Sequence, residues 1–184
     1  MKKLFVLVAV AALALAGRAA SVDWSMTVSG KGGAWTGAGA YVMSFNGSDY
    51  DAVINLLTVA GSDDMAAALG EYALALGAGG TSAAVTSSRG SAKASGTSDG
   101  FTGDTLFWVV FTDGSMDGGK SISWTEATSL AGYTYEAGSP SPGSLGLNAA
   151  SFAHSGTIAD VPEPTSGLLM LVGLAGLALR RRRA

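Results

Sequence analysis

Hydrophobic and polar residues alternate along two segments near the start of the chain, a pattern typical of half-buried β-strands. In the first segment the apolar positions are Val22, Trp24, Met26 and Val28. In the second segment the apolar positions are Tyr41, Met43 and Phe45. Asn46-Gly47 follows as a turn signal, and the stretch 30–39 between the segments is rich in glycine. The pattern therefore predicts two strands, with Trp35 in the turn region between them.

Residues 49–76 predict a helical insertion that consists of two pieces. Ser48 is a candidate cap for the first piece, and Gly61 is its stop. Ser62 is a candidate cap for the second piece, whose first aspartates favour the positive end of a helix. This second piece has one apolar stripe, formed by Met65, Leu69, Tyr72 and Leu76. We expect a stripe of this kind to face the core.

The sequence DTLFWVVFT at residues 104–112 is the most hydrophobic segment between the two ends of the chain. Its apolar residues do not alternate with polar ones, which predicts a central strand with both faces covered. Phe107 and Trp108 should then point to opposite faces. Residues 120–127 alternate through Ile122 and Trp124, so this segment should pair with the central strand across a turn.

Small and polar residues dominate the remaining segments of residues 21–160, which we call the body of the chain. Residues 77–100 contain mainly Gly, Ser, Ala and Thr, which predicts a flexible loop or thin edge strands. Residues 131–136 and 151–158 predict short strands, and residues 138–146 predict a loop or linker. Together these elements predict a β-rich α+β fold, a single small antiparallel-sheet domain at 21–160 that carries the helical insertion.

Charge is distributed unevenly along the chain, although the formal net charge is only −3. Between residues 21 and 163, fourteen acidic residues face four basic ones, which are Lys31, Arg89, Lys93 and Lys120. An acidic body of this kind is expected not to bind nucleic acid, because it cannot neutralise a run of phosphates. The chain has no cysteine, which excludes disulfides, thiolate zinc sites and cysteine nucleophiles.

The first 20 residues have the layout of a secretory signal peptide. Lys2 and Lys3 form a positive segment, and an apolar run from Leu4 to Ala16 follows. That run is short for a membrane span, and small residues come after it. We therefore expect export of the chain and cleavage between Ala16 and Ser21.

Residues 161–184 contain three features in a fixed order. The first is the sequence Val161-Pro162-Glu163-Pro164, whose prolines hold the backbone extended. The second is the uncharged segment 166–179, which predicts a helix about 21 Å long. This helix is a marginal transmembrane span, because a bilayer core is about 30 Å thick. The third is a cluster that would stay on the cytoplasmic side of the membrane, formed by Arg180, Arg181, Arg182 and Arg183.

The combination of a PEP sequence, an apolar segment and an arginine cluster resembles the PEP-CTERM sorting signal. The resemblance implies that exosortase, a membrane enzyme of certain Gram-negative bacteria, recognises the sequence Pro162-Glu163-Pro164. It also implies a transient anchor in the inner membrane, removal of the tail, and delivery to the cell surface or the extracellular polymer matrix. It covers only the tail and the expected signal peptide, so it implies no activity for the domain at 21–160. A plain tail-anchored protein with an incidental PEP sequence remains an alternative.

Two short matches to catalytic motifs are expected to be incidental. Residues 114–121, GSMDGGKS, fit the P-loop pattern, but strand alternation follows Lys120 where a P-loop requires a helix. Residues 96–100, GTSDG, fit the G-x-S-x-G pattern, but no helix is predicted after Ser98. His154 is the only histidine, and we expect it to lie at the surface.

Acidic pairs and tryptophans are the remaining candidates for ligand binding. Three pairs offer oxygen ligands for Ca²⁺, namely Asp49 with Asp51, Asp63 with Asp64, and Asp113 with Asp117. None has the EF-hand spacing, so capping and turn roles are expected instead. Three tryptophans lie in predicted strands and are expected in the core, namely Trp24, Trp108 and Trp124.

These observations predict an exported, non-enzymatic structural protein that requires no cofactor or metal. Its expected partners are exosortase, the secretion machinery and, before processing, the membrane, with extracellular polysaccharide as a further candidate. The alternative is a carbohydrate- or surface-binding module, either adhesin-like or ice-binding. An exposed strip of aromatic side chains would favour the binding module, whereas aromatic side chains buried in a core would favour the structural role.

Overall fold

A computed structural model describes residues 20–36, 39–77, 80–136 and 138–161, and these ranges form two β-sheets and a few short helices. The strands are β1 (Ala20–Ser29), β2 (Tyr41–Asn46), β3 (Ala75–Leu76), β4 (Ala83–Ala84), β5 (Thr86–Ser88), β6 (Ser91–Asp99), β7 (Thr105–Phe111), β8 (Ser121–Trp124), β9 (Thr128–Ser129), β10 (Thr134–Glu136), β11 (Leu145–Leu147) and β12 (His154–Thr157). The helical elements are α1 (Gly32–Thr36), a 3-10 turn (Gly47–Asp49), α2 (Tyr50–Asn55), a π-helical turn (Leu56–Ala60) and α3 (Met65–Gly70).

The first sheet is built around the long antiparallel pair of β1 and β6. These strands run in register from Ser21 opposite Asp99 to Ser29 opposite Ser91. The sheet continues from β1 to β10 on one side and from β6 to β3 on the other. Strand β5 also pairs with β6, and β11 pairs with β1 in a parallel direction. The other described strand pairs of the molecule are antiparallel.

The second sheet has the order β12-β8-β7-β2-β4, with β9 also paired to β7. Strand β7 lies in the middle and pairs with β2 from Leu106 opposite Asn46 to Phe111 opposite Tyr41. On its other side it pairs with β8, across the loop that joins the two strands. The hydrophobic segment at 104–112 is therefore the central strand that its sequence predicted, and the segment at 120–127 supplies its partner.

The inner core fills the space between the two sheets. The alternating residues Val22, Trp24, Met26 and Val28 of β1 face it, as the sequence pattern predicted. From the second sheet Trp108 enters this core, and its ring packs edge-to-face on that of Trp24 with centroids 6.1 Å apart. The Trp24 indole N–H donates to Ser98 Oγ at 3.0 Å, and the hydroxyls of Ser98 and Ser44 share a hydrogen bond of 2.7 Å. Hydrogen bonds therefore join the sheets within an otherwise apolar layer.

The outer core lies on the opposite face of the second sheet and is covered by the helical insertion. Phe107 and Phe45 stack there, with ring centroids 5.2 Å apart. The covering side chains come from α2, the π-helical turn and α3, and they are Val53, Leu57, Met65 and Leu69. The body is thus a three-layer arrangement of sheet, sheet and helices, in which the second sheet is buried on both faces. Phe107 and Trp108 point to opposite faces, as expected for a fully covered strand.

The segment 77–100 forms strands β4 to β6, and the long strand β6 is interior to the first sheet, between β1 and β3. The prediction of a flexible loop was wrong, and the alternative of thin edge strands was only partly right. The small residues have a packing reason, because they face the large Trp24. A Cβ atom added at Gly96 would lie 3.0 Å from the Trp24 ring. The composition of β6 therefore reflects complementarity to a tryptophan and not flexibility.

Several smaller expectations need correction. Trp35 is only 5% exposed, because it lies in α1 and packs edge-to-face on Phe152 with ring centroids 5.7 Å apart. The second helical piece stops at Gly70, and Asp64 caps it in place of Ser62. The expected linker at 138–146 contributes residues to β11.

Among the residues that the structure describes, no helix is long and apolar enough to cross a bilayer. The predicted transmembrane helix at 166–179 lies outside the described residues, and so does nearly all of the predicted signal peptide at 1–20. At the boundary, Ala20 is the first residue of β1 and pairs with Glu136.

The inner core gives a direct test of the fold. Trp108→Ala is expected to lower the free energy of unfolding by about 3–5 kcal/mol, because it leaves a large cavity between the sheets. Trp108→Phe should cost roughly half as much, since it keeps a ring and also removes an indole N–H that is buried without a hydrogen-bond partner. The measurement is urea denaturation of the full chain, followed by circular dichroism.

Val59→Ala is the control, because the Val59 side chain is 70% exposed. It should change the stability by less than about 0.5 kcal/mol. A Trp108→Ala variant as stable as the Val59→Ala variant would show that Trp108 does not support the core.

Candidate functional site

The polypeptide leaves the folded body through a docked segment, Ile158–Val161, directly after the edge strand β12. The backbone N–H of Ile158 donates to the Lys120 carbonyl at 2.8 Å, and the Ile158 carbonyl accepts from Gly119 N–H at 2.8 Å. The N–H of Ala159 donates to the Leu57 carbonyl at 2.7 Å. The segment is therefore held by the β7–β8 loop on one side and by the helical layer on the other.

Two glycines allow this close approach of backbones. A Cβ atom added at Gly118 would lie 2.9 Å from the Cα of Asp160, which is closer than side chains tolerate. Gly61 has φ of 67°, and a Cβ there would lie 3.1 Å from the Ala159 carbonyl oxygen and 3.3 Å from the Val161 side chain. Gly61 was predicted only as a helix stop, and its second role at the exit is visible only in the structure.

Acidic side chains surround the exit, where they line a recess of about 380 Å³ together with Met116 and Ile158. Asp64 accepts from the Ala67 N–H at 3.0 Å and so caps α3. Asp117 accepts from the Ser115 hydroxyl within its own loop. In the described parts of the chain, no three acidic or histidine side chains are grouped as a metal ion would require. Capping and turn roles therefore account for Asp64 and Asp117, as predicted.

The predicted sorting residues begin where this segment ends. Val161 is half-buried beside Gly61 and is the last residue that the structure describes. Pro162, Glu163 and Pro164 lie outside the described residues, as do Arg180, Arg181, Arg182 and Arg183. The structure thus describes the folded domain up to its junction with the tail. In the sequence, the predicted Pro162-Glu163-Pro164 follows Val161 directly.

The P-loop-like sequence at 114–121 forms the connection between β7 and β8. Lys120 is followed by a strand and not by a helix, so the backbone amides are not arranged around an anion as in a P-loop. The Ser121 N–H instead donates to Asp113 Oδ2 at 3.1 Å, and Thr112 Oγ1 donates to the Ser121 carbonyl at 2.9 Å. The loop is a glycine-rich hairpin connection, as its strand alternation predicted.

Ser98, the centre of the G-x-S-x-G match, is fully buried within β6. Its hydroxyl is occupied by Trp24 and Ser44 in the inner core, so it is not a nucleophile on an exposed turn. His154 lies on the edge strand of the other sheet, where its Nε2 is 2.6 Å from Glu126 Oε1. Its ring also stacks on Trp124, with centroids 5.6 Å apart. His154 is part of the surface, as expected, but the pairing with Glu126 was not predicted.

Four titratable groups among the described residues have perturbed pKa values, namely Asp23, Tyr41, Tyr50 and Tyr135. A hydrogen bond from Thr97 Oγ1, 2.7 Å long, lowers the pKa of Asp23, and the Tyr135 hydroxyl at 2.8 Å acts in the same direction. Burial raises the pKa of Tyr41 to about 12, and the nearby charge of Asp117 adds to the effect. The hydrogen bonds of Asp23 join β1 to β6 through Thr97 and to β10 through Tyr135.

The comparisons with known proteins concern only the tail. A family model described as the PEP-CTERM protein-sorting motif matches residues 160–183. Neither a curated protein nor a solved structure matches the chain. The matched region begins at Asp160, so its first two residues belong to the docked segment of the body. The chain therefore carries a PEP-CTERM protein-sorting motif, which indicates an exported protein that exosortase sorts.

Proposed function

We propose that the protein is a non-enzymatic structural component of the cell surface or extracellular matrix, to which exosortase delivers it. The observation that carries this proposal is the position of the sorting motif at 160–183, directly after residues docked on a folded body. The folded domain is the part of the chain that is delivered, and the tail is the signal that directs its delivery. Loss of the tail beyond Pro164 would leave the contacts of Ile158 and Ala159 in place.

The use of aromatic residues supports a structural role over a module that binds sugars on a strip of aromatic side chains. The tryptophans Trp24, Trp35, Trp108 and Trp124 are each 9% exposed or less. They fill cores and contact other buried side chains, so they do not offer a flat strip for stacking on sugars. Among the described residues, Val59 is the one large hydrophobic side chain that is clearly exposed. Burial of the apolar residues in two cores suits a protein that must remain folded outside the cell without disulfides.

The positions of the candidate catalytic residues support a non-enzymatic role. Ser98 is buried in the inner core, and His154 pairs with Glu126 at the edge of the other sheet. Lys120 lies at the end of a hairpin loop. Among the described residues, Ser98 contacts no base that would activate it, and His154 contacts Glu126 but no nucleophile.

Export and exosortase sorting together are expected to remove both ends of the chain. In a host with exosortase, the secreted protein should lack about the first 20 residues and most of the segment after Pro164. Intact-mass spectrometry of the secreted form measures this. A variant with Pro162, Glu163 and Pro164 all replaced by alanine should retain its tail and remain with the membrane fraction.

A host without exosortase is the control, and there the wild type should behave like the alanine variant. Surface material that still carries Arg180–Arg183 in the exosortase host would contradict the sorting proposal and would favour a plain tail anchor.

Nucleotide binding at the hairpin loop is expected to be absent. ATP with Mg²⁺ should leave the melting temperature of the full chain unchanged, and Lys120→Ala should change the stability by less than about 0.5 kcal/mol. Thermal denaturation with and without the nucleotide measures both effects. A saturable rise in melting temperature that Lys120→Ala abolishes would establish a nucleotide site and overturn the non-enzymatic proposal.

A further inference from the structure

An open cleft of about 580 Å³ lies at the edge of the first sheet, beside the middle of β6. Strand β5 pairs with β6 as far as Lys93, and β3 pairs with it from Ser98 onwards. Between the residues that pair with β5 and those that pair with β3, strand β6 has no strand partner on that side. Segment 82–86 crosses this gap. The volume falls within the range of about 300–1,000 Å³ that is usual for small-ligand sites.

The backbone of β6 offers two hydrogen-bonding groups to this cleft. The Thr97 carbonyl accepts from Gly77 N–H at 2.9 Å, so the polar groups of Thr97 point away from β1 and toward the cleft side. Because strand residues alternate in the direction of their polar groups, the N–H and C=O of Ser95 point to the same side. Neither β3 nor β5 reaches Ser95, so neither strand occupies this donor and acceptor.

The side chains of the cleft combine hydroxyl groups with a single positive charge. Five of the lining residues are serine or threonine, and Lys93 is the one charged residue among them. Within the described ranges no carboxylate lies within ion-pair distance of the Lys93 amine. Partly buried Leu76, Ala83 and Ala94 supply a small apolar wall.

The same corner of the molecule holds most of the positive charge of the body. The ladder of β1 and β6 places Lys93 opposite Thr27 and ends with Ser91 opposite Ser29. Lys31 and Arg89 follow just beyond this end, on segments joined by the hydrogen bond from Gly32 N–H to the Gly90 carbonyl at 3.1 Å. Three of the four basic residues between positions 21 and 163 therefore lie on or next to one end of the β1–β6 pair.

We propose that this cleft binds a carboxylated sugar unit of an acidic polysaccharide. The Lys93 amine would bind the carboxylate, since a charge-assisted contact of this kind is among the stronger polar interactions. The serine and threonine hydroxyls and the backbone groups of Ser95 match sugar hydroxyls. Lys31 and Arg89 would attract neighbouring units of the polymer. The inference rests on the proposed function only in that the body meets such polymers outside the cell.

A nucleic acid or polyphosphate fits the same corner less well. No aromatic side chain lines the cleft, so there is no surface on which a base could stack. One lysine in the cleft matches one carboxylate per sugar unit, whereas a phosphate chain presents a denser run of charge that the acidic body would repel.

Calorimetric titration of the full chain, kept in a detergent without a sugar headgroup, tests the proposal with tetragalacturonate as the probe. Saturable binding is expected that weakens as salt is added. Lys93→Gln should weaken the affinity about tenfold or more, as expected for loss of a charge-assisted contact. Ser95→Phe should also weaken binding strongly by placing a ring in the cleft, because this exposed side chain lines it.

Lys120→Gln is the matched control, an exposed lysine distant in sequence from the cleft, and it should change the affinity less than about twofold. Maltotetraose, a neutral sugar of the same length, should bind much more weakly than tetragalacturonate. Absence of binding, equal losses from Lys93→Gln and Lys120→Gln, equal binding of maltotetraose, or equal or tighter binding of inorganic polyphosphate would each overturn the proposal. The mass of the secreted protein reports separately on sorting, so failure of one idea leaves the other intact.

Discussion

Burial of β7 on both faces is the constraint on which the rest of the structure depends. Successive side chains of a strand point to opposite sides, so Trp108 must be covered by one layer and Phe107 by another. The first sheet covers Trp108, and the helical insertion covers Phe107. Removing either layer would expose a row of large apolar side chains to water, which explains why a small exported domain keeps three layers.

The inner core also shows how a body without cysteine is held together. Trp24 and Trp108 are the largest fully buried side chains between the sheets, and Gly96 of β6 leaves room for Trp24. Hydroxyls of Ser44 and Ser98 with the Trp24 indole form a buried chain of hydrogen bonds that links one sheet to the other. The Trp108 indole N–H has no such partner, so this core contains one buried donor that is unsatisfied. The packing of the large Trp108 ring offsets the cost of that donor.

Much of the fold follows from local patterns, because alternation and unbroken hydrophobicity report directly on burial. The alternation in β1 and the apolar run of β7 predicted their environments correctly. Strand β6 was missed as an interior strand because its inward positions are small, and only knowledge of Trp24 opposite them explains that choice. The burial of Trp35 was missed for a similar reason, since Phe152, its partner, is far away in sequence. Pairings of this kind are not visible in one segment read alone.

The candidate site also combines a feature that is local in the sequence with features that depend on residues distant in the sequence. The sorting motif is a contiguous sequence and was identified from the identity and order of its residues. The docking of Ile158–Val161 depends on Gly61 and Gly118, which lie in two other parts of the chain. The cleft beside β6 depends on where two short neighbouring strands stop. Neither feature has a signature in a single stretch of sequence, because each is created by the way the layers meet.

Native-state hydrogen exchange of the full chain tests the central structural claim most directly. If β7 supports both cores, the amides of Leu106 to Phe111 that are bonded within the sheet should exchange only through global unfolding. Their free energies of opening should equal the global free energy of unfolding measured with denaturant. The short edge pairs, such as Ala83–Ala84 with β2, should open at lower free energies. Exchange of the β7 amides through a smaller opening, while β6 and the helical layer stay protected, would contradict the account.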